Sequence, residues 1–269
     1  MTNNLFDLSG KVAIVTGACG LLGQSHCQAL IEANAHVIGL DLDEAQLGQL
    51  KADLGERFNF FTGNVTDKSS LEGIRGKILE SFGRIDILVN NAAINDMFEN
   101  PALAAEQSQF EYYPLDMWKR SLDVNVTGVF LCAQVFGTPM AAQGSGSIIN
   151  VASTYGVVGP DQSIYIDDEG MQSFYKSASY PTTKGAVINF TRFLAAYWGE
   201  KGVRVNTLSP GGVENGQDNW FIQNYSFKTA LGRMANAKDY KGAIVFLASE
   251  ASAYMTGANL IVDGGWTAM

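Results

Sequence analysis

Short apolar runs rich in β-branched residues recur along the whole chain, separated by stretches in which apolar residues follow helical spacing. Runs of this length between turn-forming residues are typical of strands that are buried on both faces of a sheet. Seven strands are predicted, at residues 11–16, 36–40, 58–62, 86–89, 147–152, 203–208 and 258–262.

The regular alternation of strands and helices predicts a parallel sheet whose right-handed crossovers place helices on both faces. With 269 residues, 46% of them hydrophobic, the chain could build one large core or two small ones, and no linker, repeat or low-complexity tract divides it. We therefore predict a single α/β domain over residues 1–269, a Rossmann fold with a doubly wound, seven-stranded parallel sheet. Ligands of such sheets bind at the carboxyl ends of the strands.

A glycine-rich turn follows the first predicted strand and precedes a helical pattern. Strand, glycine turn and helix in this order are the context of a dinucleotide fingerprint. Gly17 would permit the tight turn, Gly20 the approach of a pyrophosphate to the backbone, and Gly23 the close packing of helix on strand. The phosphates would lie on amide groups at the helix N-terminus, near Leu21 and Leu22.

Asp41 ends the second predicted strand, 18 residues after Gly23 (41 − 23). A carboxylate at this position is placed to accept hydrogen bonds from the ribose of an adenosine. It would repel a 2'-phosphate, and Leu42 supplies no cation to hold one. The two residues together predict NAD rather than NADP as the cofactor.

Tyr180 and Lys184 are four residues apart, so on a helix they lie one above the other on the same face. Most pairs at this spacing are simply an apolar stem beside a solvated charge. To act as a base near neutral pH, a tyrosine must have its pKa lowered from about 10 to about 7, which requires about 4 kcal/mol. A neighbouring ammonium in a partly desolvated cleft, helped by a positively charged cofactor ring, is a source of that energy.

Several further motifs accompany these features, in the order in which one known family has them. They are TGACGLLG at 16–23, Asn90-Asn91-Ala92-Ala93, Asn125 in VNVTG, Ser153 in INVAST, SPGGV at 209–213, and Thr256-Gly257 followed by VDGG at 262–265. Along essentially its whole length the chain resembles the short-chain dehydrogenase/reductase family. The joint match is highly specific, whereas each motif alone has an ordinary explanation as a cap, a turn or a locally satisfied amide.

The resemblance implies a role for each of these residues. Tyr180 would be the general acid/base, Ser153 would orient the reacting oxygen, and Lys184 would lower the pKa of Tyr180 and hold the nicotinamide ribose. Asn125 would anchor a water that connects Lys184 to solvent. The predicted NAD-binding residues are Gly17, Gly20, Leu21, Leu22, Gly23, Asp41, Leu42, Asn64, Val65, Asn91, Ala92, Tyr180, Lys184, Pro210, Gly211 and Val213.

The chain departs from the family pattern at several positions, none of which removes a proton-transfer group. The glycine spacing G-x-x-G-x-x-G is commoner in sugar-nucleotide epimerases. Ala93 and Asn64 stand where the family usually has glycine and aspartate, and Asn215 stands where a threonine usually meets the nicotinamide. Because every proton-transfer residue is present, the sequence favours an NAD-dependent alcohol dehydrogenase. The alternatives are an epimerase that uses NAD without net turnover and a non-catalytic NAD(H)-binding regulator.

Composition and charge restrict the kinds of partner and the cellular compartment that we expect. The net charge of −9 argues against nucleic acid and anionic membranes as partners, and neither a signal peptide nor a membrane-spanning apolar run is apparent. Three cysteines, an odd number, suit a reducing compartment, and His26 and His36 are too few and too scattered for a histidine-based metal site. We expect a cytoplasmic protein without a metal.

Two segments, 94–117 and 157–179, are longer than their counterparts in the family and border the predicted cleft. They carry aromatic and acidic residues: Asp96, Phe98, Glu99, Glu106, Phe110, Glu111, Tyr112, Tyr113 and Asp116 in the first, and Tyr165, Asp167, Asp168, Glu169 and Tyr175 in the second. Surface decoration or a subunit contact is one interpretation. The functional interpretation is a deep, partly covered pocket with aromatic walls and carboxylate acceptors.

Carboxylates suit sugar hydroxyls because each oxygen accepts more than one donor, whereas a phosphate would need Arg or Lys partners, which are few here. A neutral polyhydroxylated or amine-bearing small molecule is therefore favoured as substrate. The stretch SPGGVENGQ and the long gap before Tyr180 resemble gluconate 5-dehydrogenase-like and flagellin-glycan-modification dehydrogenases, which act on sugars or sugar acids. A sugar acid would want a cation, for which Lys176 is a candidate. We expect a role in carbohydrate metabolism.

Two further segments bear on closure of the cleft and on assembly. Residues 214–231 are rich in aromatic side chains and match a mobile lid in the family, with simple packing as the alternative. The predicted helix 181–198 is apolar over much of its surface, so one face covers the sheet and another lacks a partner. The family pairs this helix and the one at about 117–142 into a dimer. We predict a homotetramer, with a dimer as the alternative.

Overall fold

The computed structural model describes residues 4–95 and 101–269, with the backbone alone for 101–103. Its strands form one sheet in the order β3-β2-β1-β4-β5-β6-β7, and all neighbouring strands are parallel. They are β1 Val12–Thr16, β2 His36–Asp41, β3 Phe58–Thr62, β4 Ile87–Asn90, β5 Gly146–Val151, β6 Val203–Pro210 and β7 Asn259–Val262. The predicted single-domain, doubly wound parallel sheet is confirmed.

Helices connect the strands across both faces of the sheet. They are α1 Leu21–Glu32, α2 Glu44–Leu54, α3 Lys68–Phe82, α4 Pro101–Gln107, α5 Leu115–Leu122, α6 Gly128–Gln143, α7 Ser179–Trp198, α8 Asn219–Phe227 and α9 Lys241–Ala248. A π-helical turn at Asp123–Thr127 joins α5 to α6.

The alternation of side chains along each strand divides the core into two halves. In β1, Val12 and Ile14 face one helical layer, while Ala13 and Val15 face the other. Helices α3, α6 and α7 cover the first face, and α1, α2 and α9 cover the second. Because both faces are buried, the strands read as nearly continuous apolar runs, which is the pattern that made them predictable.

The N-termini of the first three helices differ in whether a side chain caps them. Helices α2 and α3 begin at the aspartate caps Asp43 and Asp67, and the residues that follow them are Gly55 and Gly83. In contrast, α1 begins at Gly20 with no side-chain cap. The amides of its first turn therefore have neither an intrahelical nor a side-chain acceptor, as suits an anion site.

Within the described residues, one continuous helical run, Leu115–Gln143, is long and apolar enough to cross a membrane by length and composition alone. Half of its most apolar stretch is buried inside the protein, where Cys132, Val135 and Phe136 pack in the core. The prediction that no apolar run approaches this length is therefore wrong. The helix packs against the sheet as a core helix does, and core helices can be as long and as apolar as helices that span a membrane.

Candidate active site

A cleft of about 990 Å³ runs along the carboxyl edge of the sheet. It is bounded by the segments that follow β1 to β6 and by the first turns of α1 and α7. The predicted site residues that line it are Gly17, Gly20, Leu21, Leu22, Asp41, Leu42, Asn64, Val65, Asn91, Ala92, Ser153, Tyr180, Lys184, Pro210, Gly211 and Val213. Gly23 and Asn125 do not line the cleft. Gly23 packs against Gly17, and Asn125 is bonded to Ile94, and both of these residues line it.

Two glycines fix the turn between β1 and α1. Gly17 has φ of +64°, and a Cβ there would lie 2.7 Å from Cα of Ala92. At Gly23 a Cβ would lie 2.0 Å from the carbonyl oxygen of Gly17, so only glycine allows α1 to close onto the turn. Gly20 is less constrained, because a Cβ there would be 3.4 Å from the nearest atom. The uncapped start of α1 and this tight turn fit the pyrophosphate of a dinucleotide.

Asn91 holds the same turn from the neighbouring strand. Its side-chain amide donates to the carbonyl oxygens of Thr16 (3.1 Å) and Gly17 (3.0 Å). The backbone amides of Asn91 and Ala92 both donate to Thr16 Oγ1, over 3.1 and 3.0 Å. Asn91 thus shapes the floor of the cleft in addition to lining it.

The carboxylate of Asp41 lies beside the glycine turn. It accepts hydrogen bonds from the backbone amides of Cys19 (2.9 Å) and Leu42 (2.7 Å). These bonds hold the carboxylate at the cleft end of β2, where a ribose ligand is expected. Among the described residues that line the cleft, the cations are Arg120, Lys176 and Lys184, and none of them follows β2.

Ser153, Tyr180 and Lys184 meet on one wall of the cleft. Ser153 lies just beyond β5, and Tyr180 lies in the first turn of α7. Lys184 is buried one turn further along α7, and its ammonium donates to the carbonyl oxygen of Val151 over 2.9 Å. The ammonium is 5.7 Å from the centroid of the Tyr180 ring.

Burial controls the pKa of both titratable groups. It raises the pKa of Tyr180, against the lowering effect of the Ser153 side chain. It lowers the pKa of Lys184 to about 8. Lys184 is not among the causes of the Tyr180 shift, and its ammonium is bonded to the carbonyl of Val151; the lowering of the Tyr180 pKa by Lys184 together with a cofactor ring stays a prediction.

Asn125 lies at the centre of the π-helical turn and is buried. Its Oδ1 accepts from the amide of Ile94 (2.8 Å), and its Nδ2 donates to the carbonyl of Ile94 (3.0 Å) and to Thr183 Oγ1 (3.3 Å). The side chain therefore ties the segment after β4 to α7, one residue before Lys184. Single π-helical turns are frequent at functional sites.

The second inserted segment folds back on itself as a small hairpin. Ile166 and Gln172 form an antiparallel bridge, and the Asp167 carboxylate accepts from the amides of Glu169 (3.0 Å) and Met171 (2.8 Å). Asp167 is thus used to build the turn of the hairpin.

Of the aromatic residues predicted for the walls, Tyr165 lines the cleft, whereas Phe110, Tyr112, Tyr113 and Tyr175 do not, and none of the predicted carboxylate acceptors among the described residues lines it. The aromatic residues of the lining are Tyr155, Tyr165, Tyr180, Phe221 and Tyr225. The carboxylates of Glu106, Glu111, Asp116, Asp167, Asp168 and Glu169 lie outside the lining, and Asp96, Phe98 and Glu99 lie outside the described residues. For the described acids the prediction is wrong, because acidic side chains in a surface segment serve turns and solvent as readily as ligands.

Helix α8 packs against this hairpin. Phe221 lies over Tyr165 with ring centroids 5.4 Å apart. The Asn224 amide donates to the carbonyl of Ile166 (2.9 Å), and Lys228 forms an ion pair of 2.8 Å with Asp161. The predicted lid is therefore attached to the inserted segment, and its mobility stays a prediction.

Tyr155 and Gln217 are among the lining residues that the sequence did not predict. Tyr155, two residues after Ser153, is a buried phenol of the wall. Gln217 lines the cleft, and its side chain folds back to donate to the carbonyl of Val213 (2.9 Å), whereas Asn215 does not line it. The only signal for Tyr155 in the sequence is its position directly after the INVAST motif.

Known proteins resemble the chain along nearly its whole length. A family model described as Enoyl-(Acyl carrier protein) reductase matches residues 17–267. The chain is 35% identical to a D-threitol dehydrogenase of Mycolicibacterium smegmatis, over 97% of this chain and 95% of that protein. It is 34% identical to a 3-alpha-(or 20-beta)-hydroxysteroid dehydrogenase of Mycobacterium tuberculosis, over 97% and 91%.

Two solved structures share the fold. A gluconate 5-dehydrogenase from Burkholderia cenocepacia in complex with NADP and tartrate has a TM-score of 0.85 at 29% identity, covering 99% of this chain and 98% of the other. A short-chain dehydrogenase from Leptospira borgpetersenii with bound NAD+ has a TM-score of 0.84 at 31% identity, covering 99% and 96%.

Fold, cleft and relatives together define an oxidoreductase that uses a nicotinamide cofactor and acts on CH–OH groups. The chain belongs to the short-chain dehydrogenase/reductase family.

Proposed function

We propose that the protein is an NAD-dependent dehydrogenase that interconverts a secondary alcohol and a ketone on a small polyhydroxylated molecule, a sugar, a polyol or a sugar acid. The observation that carries this proposal is the convergence of Ser153, Tyr180 and Lys184 on one wall of the cleft. Relatives named for threitol and gluconate support the substrate class.

The proton and the hydride leave the substrate by separate routes. Tyr180 accepts the hydroxyl proton during oxidation, and Ser153 donates a hydrogen bond to the same substrate oxygen. A nicotinamide held by the residues that line the cleft would supply the acceptor for the hydride of the carbinol carbon. Lys184 supplies positive charge next to Tyr180, and Asn125 keeps the start of α7 in register with the segment after β4.

The acid/base role of Tyr180 sets the sign of the pH dependence, and the direction of its pKa shift sets the pH range in which the rates change. Oxidation requires the phenolate, whereas reduction requires the neutral phenol. Because burial raises the pKa of Tyr180 in the free protein, we expect alcohol oxidation to speed up as pH rises through that pKa, and ketone reduction to slow down.

The test is NADH formation, followed by absorbance, across polyols, neutral sugars, sugar acids and simple secondary alcohols, with NAD and NADP in parallel. We expect turnover with a polyol or sugar acid. We expect Tyr180→Phe to retain NADH binding and to lose roughly two to four orders of magnitude in kcat, because it removes the proton acceptor. The matched control is Tyr197→Phe, an exposed tyrosine of α7 outside the cleft.

Three results would contradict the proposal in different ways. A Tyr180→Phe variant at wild-type rate would remove Tyr180 as the acid/base. NADH binding without oxidation of any alcohol would favour a regulator. Epimerised product without accumulation of NADH would favour an epimerase.

A further inference from the structure

The motif VDGG at 262–265 has no part in the proposed mechanism, and it leads into the last turn of the chain, Trp266–Ala268. One carboxylate holds this turn. Asp263 accepts hydrogen bonds from the amides of Gly265 and Thr267, each over 2.9 Å, and from Thr267 Oγ1 over 2.8 Å. Gly265 has φ of +88°, and a Cβ there would lie 2.6 Å from the nearest side-chain atom. The backbone of the turn is therefore fixed, and with it the place of the tryptophan.

The side chain of Trp266 is buried behind the wall at the substrate end of the cleft. Its ring stacks on that of Tyr225, with centroids 4.5 Å apart and planes inclined by 25°, and meets the ring of Tyr155 edge-on at 6.1 Å. Both tyrosines line the cleft, whereas Trp266 does not. The three rings belong to one apolar cluster, against which Tyr180, the proposed acid/base, also packs. Trp266 therefore supports the surface that would face a substrate without being part of that surface.

Tyr225 extends this support to the loop that follows β6. It lies on α8, and its hydroxyl accepts a hydrogen bond of 2.5 Å from the amide of Gly212, which also lines the cleft. The tyrosine ring fills the space beside this glycine, since a Cβ at Gly212 would lie 2.6 Å from Cζ of Tyr225. Stacked aromatic pairs are stabilised beyond the area that they bury. Loss of the Trp266 ring would therefore loosen Tyr225 and, through it, the hydrogen bond of the Gly212 amide.

We propose that Trp266 is a positioning residue that sets the size of the substrate end of the cleft by fixing Tyr155 and Tyr225. This inference rests on the proposed function, because it takes the space beside Tyr180 as the place of the substrate. Protein interiors are close-packed, so neighbours partly fill the void that a lost side chain leaves. Without Trp266 the two tyrosines move back into that void. The cleft then accepts a longer carbon chain, so Trp266 makes the enzyme favour short polyols.

The experiment compares threitol with the longer polyol glucitol. For Trp266→Ala we expect the ratio of kcat/KM for glucitol to kcat/KM for threitol to rise roughly tenfold, chiefly through a lower KM for glucitol. Trp266→Phe should stay within about threefold of the wild-type ratio, since it keeps an aromatic ring against Tyr225. If Trp266→Ala does not fold, Trp266→Leu, which leaves a smaller void, should raise the ratio by a smaller factor.

The matched control is Trp198→Ala. Trp198 is as deeply buried as Trp266, but it lies at the opposite end of α7 from Tyr180 and outside the lining of the cleft. Its loss should leave the glucitol-to-threitol ratio unchanged. An equal rise in Trp198→Ala would assign the effect to general loosening of the fold. An unchanged ratio in both Trp266→Ala and Trp266→Leu would also overturn the role of Trp266.

Hydrogen exchange separates this inference from the proposed function. Exchange of the Gly212 amide is followed in the free protein by mass spectrometry of peptides that overlap at this residue. We expect it to be roughly tenfold faster in Trp266→Ala than in the wild type, and close to the wild-type rate in Trp266→Phe. A wild-type rate in Trp266→Ala contradicts the support of the wall by Trp266. If exchange is faster but the wild type oxidises no polyol, Trp266 positions the wall and the proposed activity on polyhydroxylated molecules is wrong.

Discussion

The carboxylate of Asp41 accepts two backbone amides and still has lone pairs for a ribose. We expect the double variant Asp41→Ala, Leu42→Arg to lower the preference for NAD over NADP, as a ratio of kcat/KM, roughly ten- to a hundredfold. It removes a charge that repels a 2'-phosphate and adds one that binds it. Leu42→Arg alone separates the two effects. An unchanged ratio in the double variant would show that Asp41 does not contact the ribose.

His26 makes the fold sensitive to acid. Its ring is fully buried on α1, neither ring nitrogen has a hydrogen-bond partner within the described residues, and burial lowers the pKa to about 4. The unfolded chain takes up a proton below pH about 6.5, whereas the folded chain resists it until about 4. The free energy of unfolding therefore decreases as pH falls across that window, by up to about 3 kcal/mol.

Replacing His26 by Leu should remove this part of the acid sensitivity. The measurement is urea unfolding of wild type and His26→Leu between pH 7 and pH 4, with His36→Gln, at an exposed position, as the control. A wild-type slope that persists in His26→Leu would assign the acid sensitivity to other groups.

The sequence identified the motif residues more completely than it identified the contacts that these residues make. Gly17 and Gly23 follow from the geometry of a strand–turn–helix unit, and the structure requires glycine at both. The ammonium of Lys184 bonds to Val151, and the amide of Asn125 bonds to Ile94, across 33 and 31 residues of chain respectively. Contacts at such separations depend on how elements pack, which no local pattern contains.

At the scale of elements, α8 and the inserted hairpin are joined by the Asp161–Lys228 ion pair. Its side chains are 34% and 42% exposed, and Lys228 is the largest cause of the lowered pKa of Asp161. We expect Asp161→Asn to raise KM of the alcohol a few-fold, because the two walls of the cleft become less firmly held, while stability falls by less than about 1 kcal/mol.

The control for this ion pair is Glu32→Gln, which breaks the exposed Glu32–Lys241 pair (2.9 Å) away from the cleft. Both variants should show similar small changes in Tm, but only Asp161→Asn should change KM. Equal KM values in both variants would mean that the ion pair has no influence on the cleft.

Elements whose burial leaves an apolar pattern in the sequence were predicted well, and elements without such a pattern were not. All seven strands lie within two residues of their predicted bounds, because burial on both faces leaves a continuous apolar signature. The inserted segment 157–179 has no such signature. Its hairpin depends on side-chain bonds such as those of Asp167 and Gln162, so the sequence indicated where it lies but not that it presents Lys176 to the cleft.

At the scale of the whole molecule, a ladder of aromatic rings on α6 and α7 remains exposed. Phe130, Phe193 and Tyr197 are 44%, 60% and 61% exposed. Phe193 stacks between Phe190 (6.4 Å) and Tyr197 (5.8 Å). Contiguous apolar patches of this kind are rare on monomers. We propose that this ladder pairs two copies of the chain within a homotetramer.

Phe193→Glu should disrupt that pairing, since it buries a charge between the two copies. We expect light scattering after size-exclusion chromatography to give a smaller assembly for this variant. Phe6→Glu, an exposed aromatic position outside the ladder, should leave the mass unchanged. A wild-type mass equal to one chain, 29.0 kDa, would contradict both the ladder's role and the homotetramer.

If the aromatic ladder pairs two copies as proposed, the stability of the protein depends on its concentration. When protomers associate through such a surface, unfolding requires dissociation, and mass action makes the midpoint of thermal unfolding rise with protein concentration. A cell that makes little of this protein would then hold it in a less durable form than a cell that makes much. The expression level would then influence the stability of the fold through the three exposed rings.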